Sequence, residues 1–156
     1  MAKTLCGFDD GPLGTGQRLL VQFGPTLRVD IGFDVHFTPT SGRPPNLAVK
    51  GVTALIDTGA TASCIDSGLA MQLNLPIIDR QRVSGVHGVR EVNMHLGHVV
   101  IPTLGKYISG AFAGVDLIAG GQPHHALIGR MFLQHFVLFY DGRTGLVSIS
   151  DELPLT

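Results

Sequence analysis

Val52-Thr53-Ala54-Leu55-Ile56-Asp57-Thr58-Gly59-Ala60-Thr61-Ala62-Ser63 opens as an apolar, β-prone run and stops abruptly at a carboxylate, a hydroxyl and a glycine. A run this apolar predicts a strand buried on both faces. Gly59 is expected to supply the permissive backbone of a tight turn. Asp57 would then be held at the edge of a core, where burial and neighbouring groups tune a carboxylate's protonation. The plain alternative is a solvated Asp-Thr-Gly turn between two strands, and the flanking sequence has to choose between them.

Outward from this stretch, the pattern is of short strands. Towards the N-terminus, Leu27, Val29, Ile31, Phe33, Val35 and Phe37 alternate with polar residues or glycine, which predicts a half-buried strand over 27–37. Before it, Arg18–Phe23 reads as a short strand turned by Gly24-Pro25, and residues 1–17 as a loose, glycine-rich lead-in. Gly11-Pro12-Leu13-Gly14-Thr15-Gly16 lacks the Gly-Lys-Ser/Thr ending of a phosphate loop, and no helix is expected after it. The prolines of 38–46 predict a loop.

Towards the C-terminus, Thr61–Ile65 reads as a strand, and Asp66 and Ser67 suit the N-cap of a helix over 68–75, closed by Pro76. Ile77–Val83 and the alternating Val92, Met94 and Leu96 flank Ser84-Gly85-Val86-His87-Gly88, a hairpin with a glycine-bracketed tip able to flex. Further strands are expected at 99–101, 107–118 and Ala126–Ile128. A second short helix is expected over 130–136. A final hairpin, 137–140 with 146–150, turns on Asp141-Gly142-Arg143-Thr144-Gly145.

Composition narrows the function classes. The 156 residues suit one domain, here 18–150, with a tail at 151–156. A formal net charge of −1 offers no basic footprint for nucleic acid or an anionic membrane. With 44% hydrophobic and 15% charged residues, some apolar surface is expected to be reserved for a partner subunit. The apolar stretch 107–121 is interrupted by Asp116 and repeated glycines, too broken to span a bilayer. No basic segment followed by an apolar one marks the first residues as a signal peptide. A soluble, cytoplasmic protein is expected, with Cys6 and Cys64 as free thiols.

Three features stand in order: Ala54-Leu55-Ile56-Asp57-Thr58-Gly59-Ala60, the glycine-tipped hairpin at 84–88, and Ala126-Leu127-Ile128-Gly129-Arg130 before a short helix. Together they resemble the single-lobe, retropepsin-like aspartic proteases, including their bacterial members, over residues 18–150. The resemblance implies an all-β, closed, mainly antiparallel fold with two short helices. It also implies a homodimeric endopeptidase acting on peptide or protein substrates without a cofactor or metal. Asp57, Thr58 and Gly59 would form the catalytic loop, with Asp57 the carboxylate and Thr58 bracing the pair across the axis. Ala60, the flap tip Gly85, Val86, His87 and Gly88, and Ile128 would contact substrate. Leu127, Ile128 and Gly129 would pack beneath the loop.

Peptide hydrolysis by carboxylates needs one to take a proton from water and another to polarise the carbonyl. Asp66-Ser67-Gly68 repeats the tripeptide but precedes a helix, so Asp66 is read as an N-cap. One usable Asp per chain implies a two-fold axis that supplies the other. Viral members often carry an acidic residue four positions after the catalytic Asp, facing the arginine of the second motif. Thr61 stands there, which leaves Arg130 without that partner.

Rival chemistries are weaker. His95 and His98 lie three apart on a predicted strand and so face opposite ways, and His124-His125 has no clustered cysteine or carboxylate, so zinc is not expected. Cys64 sits in an apolar strand, the setting of an inert thiol rather than a nucleophile. A retropepsin-like fold can also serve as a catalytically weak dimerisation or peptide-binding module, and that alternative stays open.

Overall fold

The computed structural model of the chain describes residues 2–151. In chain order its elements are β1 (Lys3–Leu5), α1 (Gly16–Phe23), β2 (Thr26–Gly32), β3 (Val49–Ile56), β4 (Cys64–Asp66), α2 (Ser67–Gln72), β5 (Ile77–Gly85), β6 (Gly88–Ile101), β7 (Lys106–Val115), β8 (Ala126–Ile128), α3 (Arg130–Leu133), β9 (Val137–Asp141) and β10 (Leu146–Ser150). A single 3-10 turn over Pro39–Ser41 lies in the proline-rich connection.

Seven strands form one sheet in the order β2-β3-β8-β4-β7-β6-β5, and β2 also pairs with β6. That extra pairing closes the sheet on itself and leaves β5 as an outrigger on β6. All ladders are antiparallel except β3–β8 and β4–β7. β8 is therefore flanked by β3 and β4, the two strands on either side of the Asp57 loop. A closed sheet buries its interior side chains together. Val29, Ile31, Ala54, Ile65, Val99, Ile101, Ala126 and Ile128 are all fully buried there, with Phe112 among them.

A second sheet, β1-β10-β9, packs Val147 and Ile149 into the same core. Residues 1–17, expected to be a loose lead-in, thus supply a strand, paired from Lys3↔Ser150 to Leu5↔Ser148, and a buried Cys6. Only residues 1 and 152–156 lie outside the described part, and they take most of the expected C-terminal tail with them.

Three local expectations need correction. Arg18–Phe23 is not a strand but belongs to α1, so the described residues hold three helices where two were expected. The Thr15 side chain accepts the Arg18 N–H at 3.2 Å, and Gly24, at a φ of 69°, returns its N–H to the Leu20 carbonyl. Caps at both ends favour the helix over an extended path. Period-2 reading fails because Leu19, Leu20 and Val21 are consecutive, and only Leu20 turns fully inward.

A helix therefore does follow Gly11–Gly16. The Asp10 carboxylate already accepts the Gly16 N–H at 2.7 Å, so an anion occupies the place a phosphate would need. Finally, the alternating strand stops at Gly32. The Asp34 carboxylate accepts the His36 N–H and its carbonyl accepts the Phe37 N–H, an Asx-type turn that overrides the alternation. Leu27, Val29 and Ile31 are buried as the pattern requires, but Val35 is exposed. No helix among the described residues is long and apolar enough to cross a membrane.

Candidate active site

Asp57 is the first residue beyond β3. Its N–H donates to the Ile128 carbonyl at 2.9 Å, which extends the parallel β3–β8 ladder by one bond. The chain then turns. The Gly59 N–H donates to Asp57 Oδ1 at 2.9 Å, and the Ala60 N–H donates to the Asp57 carbonyl at 3.2 Å. The carboxylate is thus oriented by its own loop while remaining half-buried, with Thr58 and Gly59 exposed beside it.

Gly59 is needed for a different reason from the one expected. It is not among the residues with a left-handed φ. A Cβ there would instead stand 3.0 Å from Asp57 Oδ1, crowding the oxygen that the loop has to hold.

The second motif grips this loop from below. The Gly129 N–H donates to Ser63 Oγ at 3.1 Å, the Arg130 N–H to the Ala60 carbonyl and the Met131 N–H to the Thr61 carbonyl, each at 2.9 Å. Gly129 passes so close that a Cβ would lie 2.5 Å from the Ala62 carbonyl oxygen, so only glycine fits. The Arg130 guanidinium donates through Nη1 to the Thr58 carbonyl at 2.7 Å and through Nη2 to Thr61 Oγ1 at 3.1 Å. The hydroxyl of Thr61 therefore takes the place of the missing acidic partner, and Arg130 spans the loop by a carbonyl and a hydroxyl.

Ile128 is fully buried. Its carbonyl holds Asp57, but its side chain belongs to the core and lies outside the reach of a peptide. That corrects the substrate-contact role expected for it.

The tip of the β5–β6 hairpin is Val86-His87, neither with a positive φ. Gly85 pairs with Gly88, which takes the positive φ of 100° just after the turn, where a left-handed glycine lets the strands rejoin. Residues 84–91 are exposed throughout. The hairpin forms one wall of a cleft of about 500 Å³, lined on that side by Val83, Gly85, Val86, His87, Gly88, Arg90 and Val92, and opposite by Val115, Asp116, Ala119, Gly120 and Gln122. The structure thus brings the four tip residues into one cleft. Asp57, Thr58, Gly59 and Ala60 form a separate loop outside that lining.

The opposite wall, 115–122, and the inward-facing Arg90 and Val92 were not singled out from sequence. The hairpin side was legible. Pairing out from a two-residue turn puts Gly85 with Gly88, Val83 with Arg90 and Gln81 with Val92 on alternating rows, all facing one way. The Gly120-Gly121-Gln122-Pro123 segment showed only as a break in the strand pattern.

Both cysteines and two of the histidines sit in structural settings, while the buried Nδ1 atoms of His124 and His125 have no hydrogen-bond partner among the described residues. Burial, with a further push from the Asp57 charge, raises the Cys64 thiol to about 11, and burial raises Cys6 to about 12. Both are protonated at neutral pH and poor nucleophiles. His95 Nδ1 lies 3.2 Å from the Leu75 carbonyl, to which it donates. His98 Nδ1 accepts the Asp34 N–H at 3.2 Å, with Phe33 stacked on its ring and Phe37 edge-on. Among the described residues no three His, Cys, Asp or Glu side chains are grouped to hold a metal ion.

A family model described as aspartyl protease matches residues 46–132, more than half of the chain. The match runs from the approach to β3, through the Asp57 loop and the hairpin, to the Gly129-Arg130 motif. No curated protein matches the chain. The matched span contains both halves of the interlocked loop and the whole β5–β6 hairpin, and the chain belongs to the retropepsin-like aspartyl protease family.

Proposed function

We propose that this protein is an aspartic endopeptidase whose active site is completed by a second copy of the chain, each copy contributing Asp57. The observation that carries the reading is the suspension of Asp57 between β8 and its own turn, half-exposed, with one such carboxylate per chain. Asp66, the only other Asp-Ser/Thr-Gly aspartate in the sequence, is committed elsewhere. Its carboxylate is buried and accepts three backbone N–H groups.

Two carboxylates within hydrogen-bond reach cannot both ionise readily, so the pair would share a proton and titrate as a unit. The charged member takes a proton from water, and the protonated one donates to the scissile carbonyl as the tetrahedral intermediate forms. Aspartic proteases are the standard example of such a pair. Thr58 would brace the dyad across the axis, and Gly59 would let substrate backbone approach it. The tip residues Gly85, Val86, His87 and Gly88 would close over the peptide and exclude water. Val83, Val86, Val92, Val115 and Ala119 in the cleft favour extended, apolar peptide segments.

The competing reading, a peptide-binding module without turnover, uses the same cleft. An unbiased peptide library screened from about pH 3 to 8 separates them. Cleavage by the wild type that is lost in Asp57→Asn, with fold and self-association retained, is the expected result. Retained peptide affinity without any cleavage would favour the module. Sedimentation that finds only monomer under every condition would remove the dyad.

A further inference from the structure

The wall of the cleft facing the hairpin, residues 116–122, belongs to no strand or helix. Its internal bonds are those of a compact turn. The Gly121 N–H donates to the Ile118 carbonyl and the Gln122 N–H to the Leu117 carbonyl, at 3.0 and 2.9 Å. Such a turn keeps its shape but has no ladder to fix its position.

Its Leu117 side chain is buried, and the Leu117 N–H also reaches the Val115 carbonyl at 2.9 Å. Beyond its far end Thr53 bonds Pro123 and His125. The side chain that reaches its backbone from another element is Asp66. Oδ1 of this buried carboxylate accepts the N–H groups of both Leu117 and Ile118 at 3.0 Å, from a residue some fifty positions earlier in the chain. Oδ2 accepts the Leu69 N–H at 3.1 Å, the ordinary bond of an N-cap. The Asp66 backbone N–H donates to the His125 carbonyl at 2.9 Å. One residue therefore brackets the segment, its side chain at the near end and its backbone at the far end. The neighbouring Ser67 hydroxyl adds a bond to the Asp116 carboxylate.

A helix cap needs one side-chain oxygen, and a serine or threonine would serve. The second oxygen of Asp66, buried and spent on two distant amides, has no part in capping α2. We propose that Asp66 is a positioning residue for the substrate cleft: its Oδ1 fixes the 116–122 wall at the distance from the hairpin that a peptide requires. This rests on the proteolytic reading for its effect on turnover, but the mechanical claim stands apart from it. Asp66 touches neither peptide nor Asp57, so its loss should weaken peptide binding and leave the chemical step intact.

The test uses Asp66→Ser, which keeps an N-cap oxygen but is too short to reach Leu117 and Ile118. Amide hydrogen exchange followed by NMR is expected to quicken at Ile118 by about tenfold, at Leu117 by less because its N–H keeps the Val115 carbonyl, and at Leu69 by less than about twofold. With a cleaved peptide from the library, KM is expected to rise about tenfold while kcat changes by less than about twofold. Should Asp66→Ser not fold, Asp66→Asn carries the same measurement. Asparagine has one acceptor oxygen, so it can satisfy either the Leu117–Ile118 pair or Leu69, and one of the two sites must lose protection.

Unchanged exchange at Leu117 and Ile118 in Asp66→Ser, or at all three amides in Asp66→Asn, would overturn the proposal. So would a fall in kcat at constant KM. A wild type that cleaves no peptide would sink the proteolytic reading alone, and the exchange rates would still decide whether Asp66 holds the wall.

Discussion

Arg130 illustrates how one side chain can replace an ion pair by two neutral acceptors. Its guanidinium joins the Thr58 carbonyl and the Thr61 hydroxyl, the second and fifth residues of the five-residue turn that begins at Asp57. Arg130→Met keeps much of the stem but removes both bonds. The variant is expected to lower the unfolding free energy by about 1–3 kcal/mol, read from urea titration. It is also expected to reduce any peptide cleavage by at least about tenfold, because a loosened turn no longer presents Asp57 in one orientation. Asp57 was legible in the sequence because a carboxylate abruptly ends an apolar run, and Gly59 and Gly129 because they stand in two recognisable motifs, although the crowding that requires Gly129 comes from Ala62 and shows only in the fold. The Thr61 contact was hidden because it depends on a residue on the far side of the β8 motif, and nothing local to Thr61 announces it.

Among the elements, β6 and the connection after β2 meet at a titratable contact. His98 Nδ1 accepts the Asp34 N–H, so its proton must sit on Nε2. The groups around the ring are Phe33, Phe37 and the Asp34 carboxylate, which is itself paired with Arg43 at 2.9 Å. Burial holds His98 below its ordinary value of 6.5, while the Asp34 charge pulls weakly the other way. The unfolded chain therefore binds a proton that the folded one refuses. Stability is level above about pH 6.5 and falls as pH drops from there through the lower folded value. Urea midpoints at about pH 7.5 and 5.5 are expected to differ in the wild type and to differ less in His98→Gln, the remainder coming from His124, which burial lowers in the same direction. An unaltered difference in that variant would exclude His98 as a source. Asp34, brought down to about 2 chiefly by the Asn46 N–H and by Arg43, keeps its charge throughout this window. Alternation alone predicted Phe33 and Phe37 as strand residues. They are instead the two walls of a histidine slot, an outcome set by a partner more than sixty residues away.

For the whole molecule, closure of the sheet rests on β2, which pairs with β3 along one stretch and with β6 at its end. Ile31 takes part in both ladders and is fully buried. Ile31→Ala is expected to cost about 2–5 kcal/mol in denaturant unfolding, since a cavity at the closing seam has little freedom to collapse. The strands themselves could be read from periodicity, but the order β2-β3-β8-β4-β7-β6-β5 could not, because pairing partners are chosen by the fit of the whole core. One strand shows what that order does. β6 is held on both edges over residues 98–100, by β2 and β7, but over Gly88–Asn93 it pairs with β5 alone. Mechanically the hairpin is a cantilever, clamped at one end and free at the tip. Amide protection should fall steadily from Val99 to Gly88, a gradient that exchange measurements would resolve. A beam of this kind bends along its length and does not swing from a joint. Its stiffness is then set by the β5–β6 cross-strand pairs, and substitutions at Val86 or His87 change what the tip touches without changing how fast it arrives.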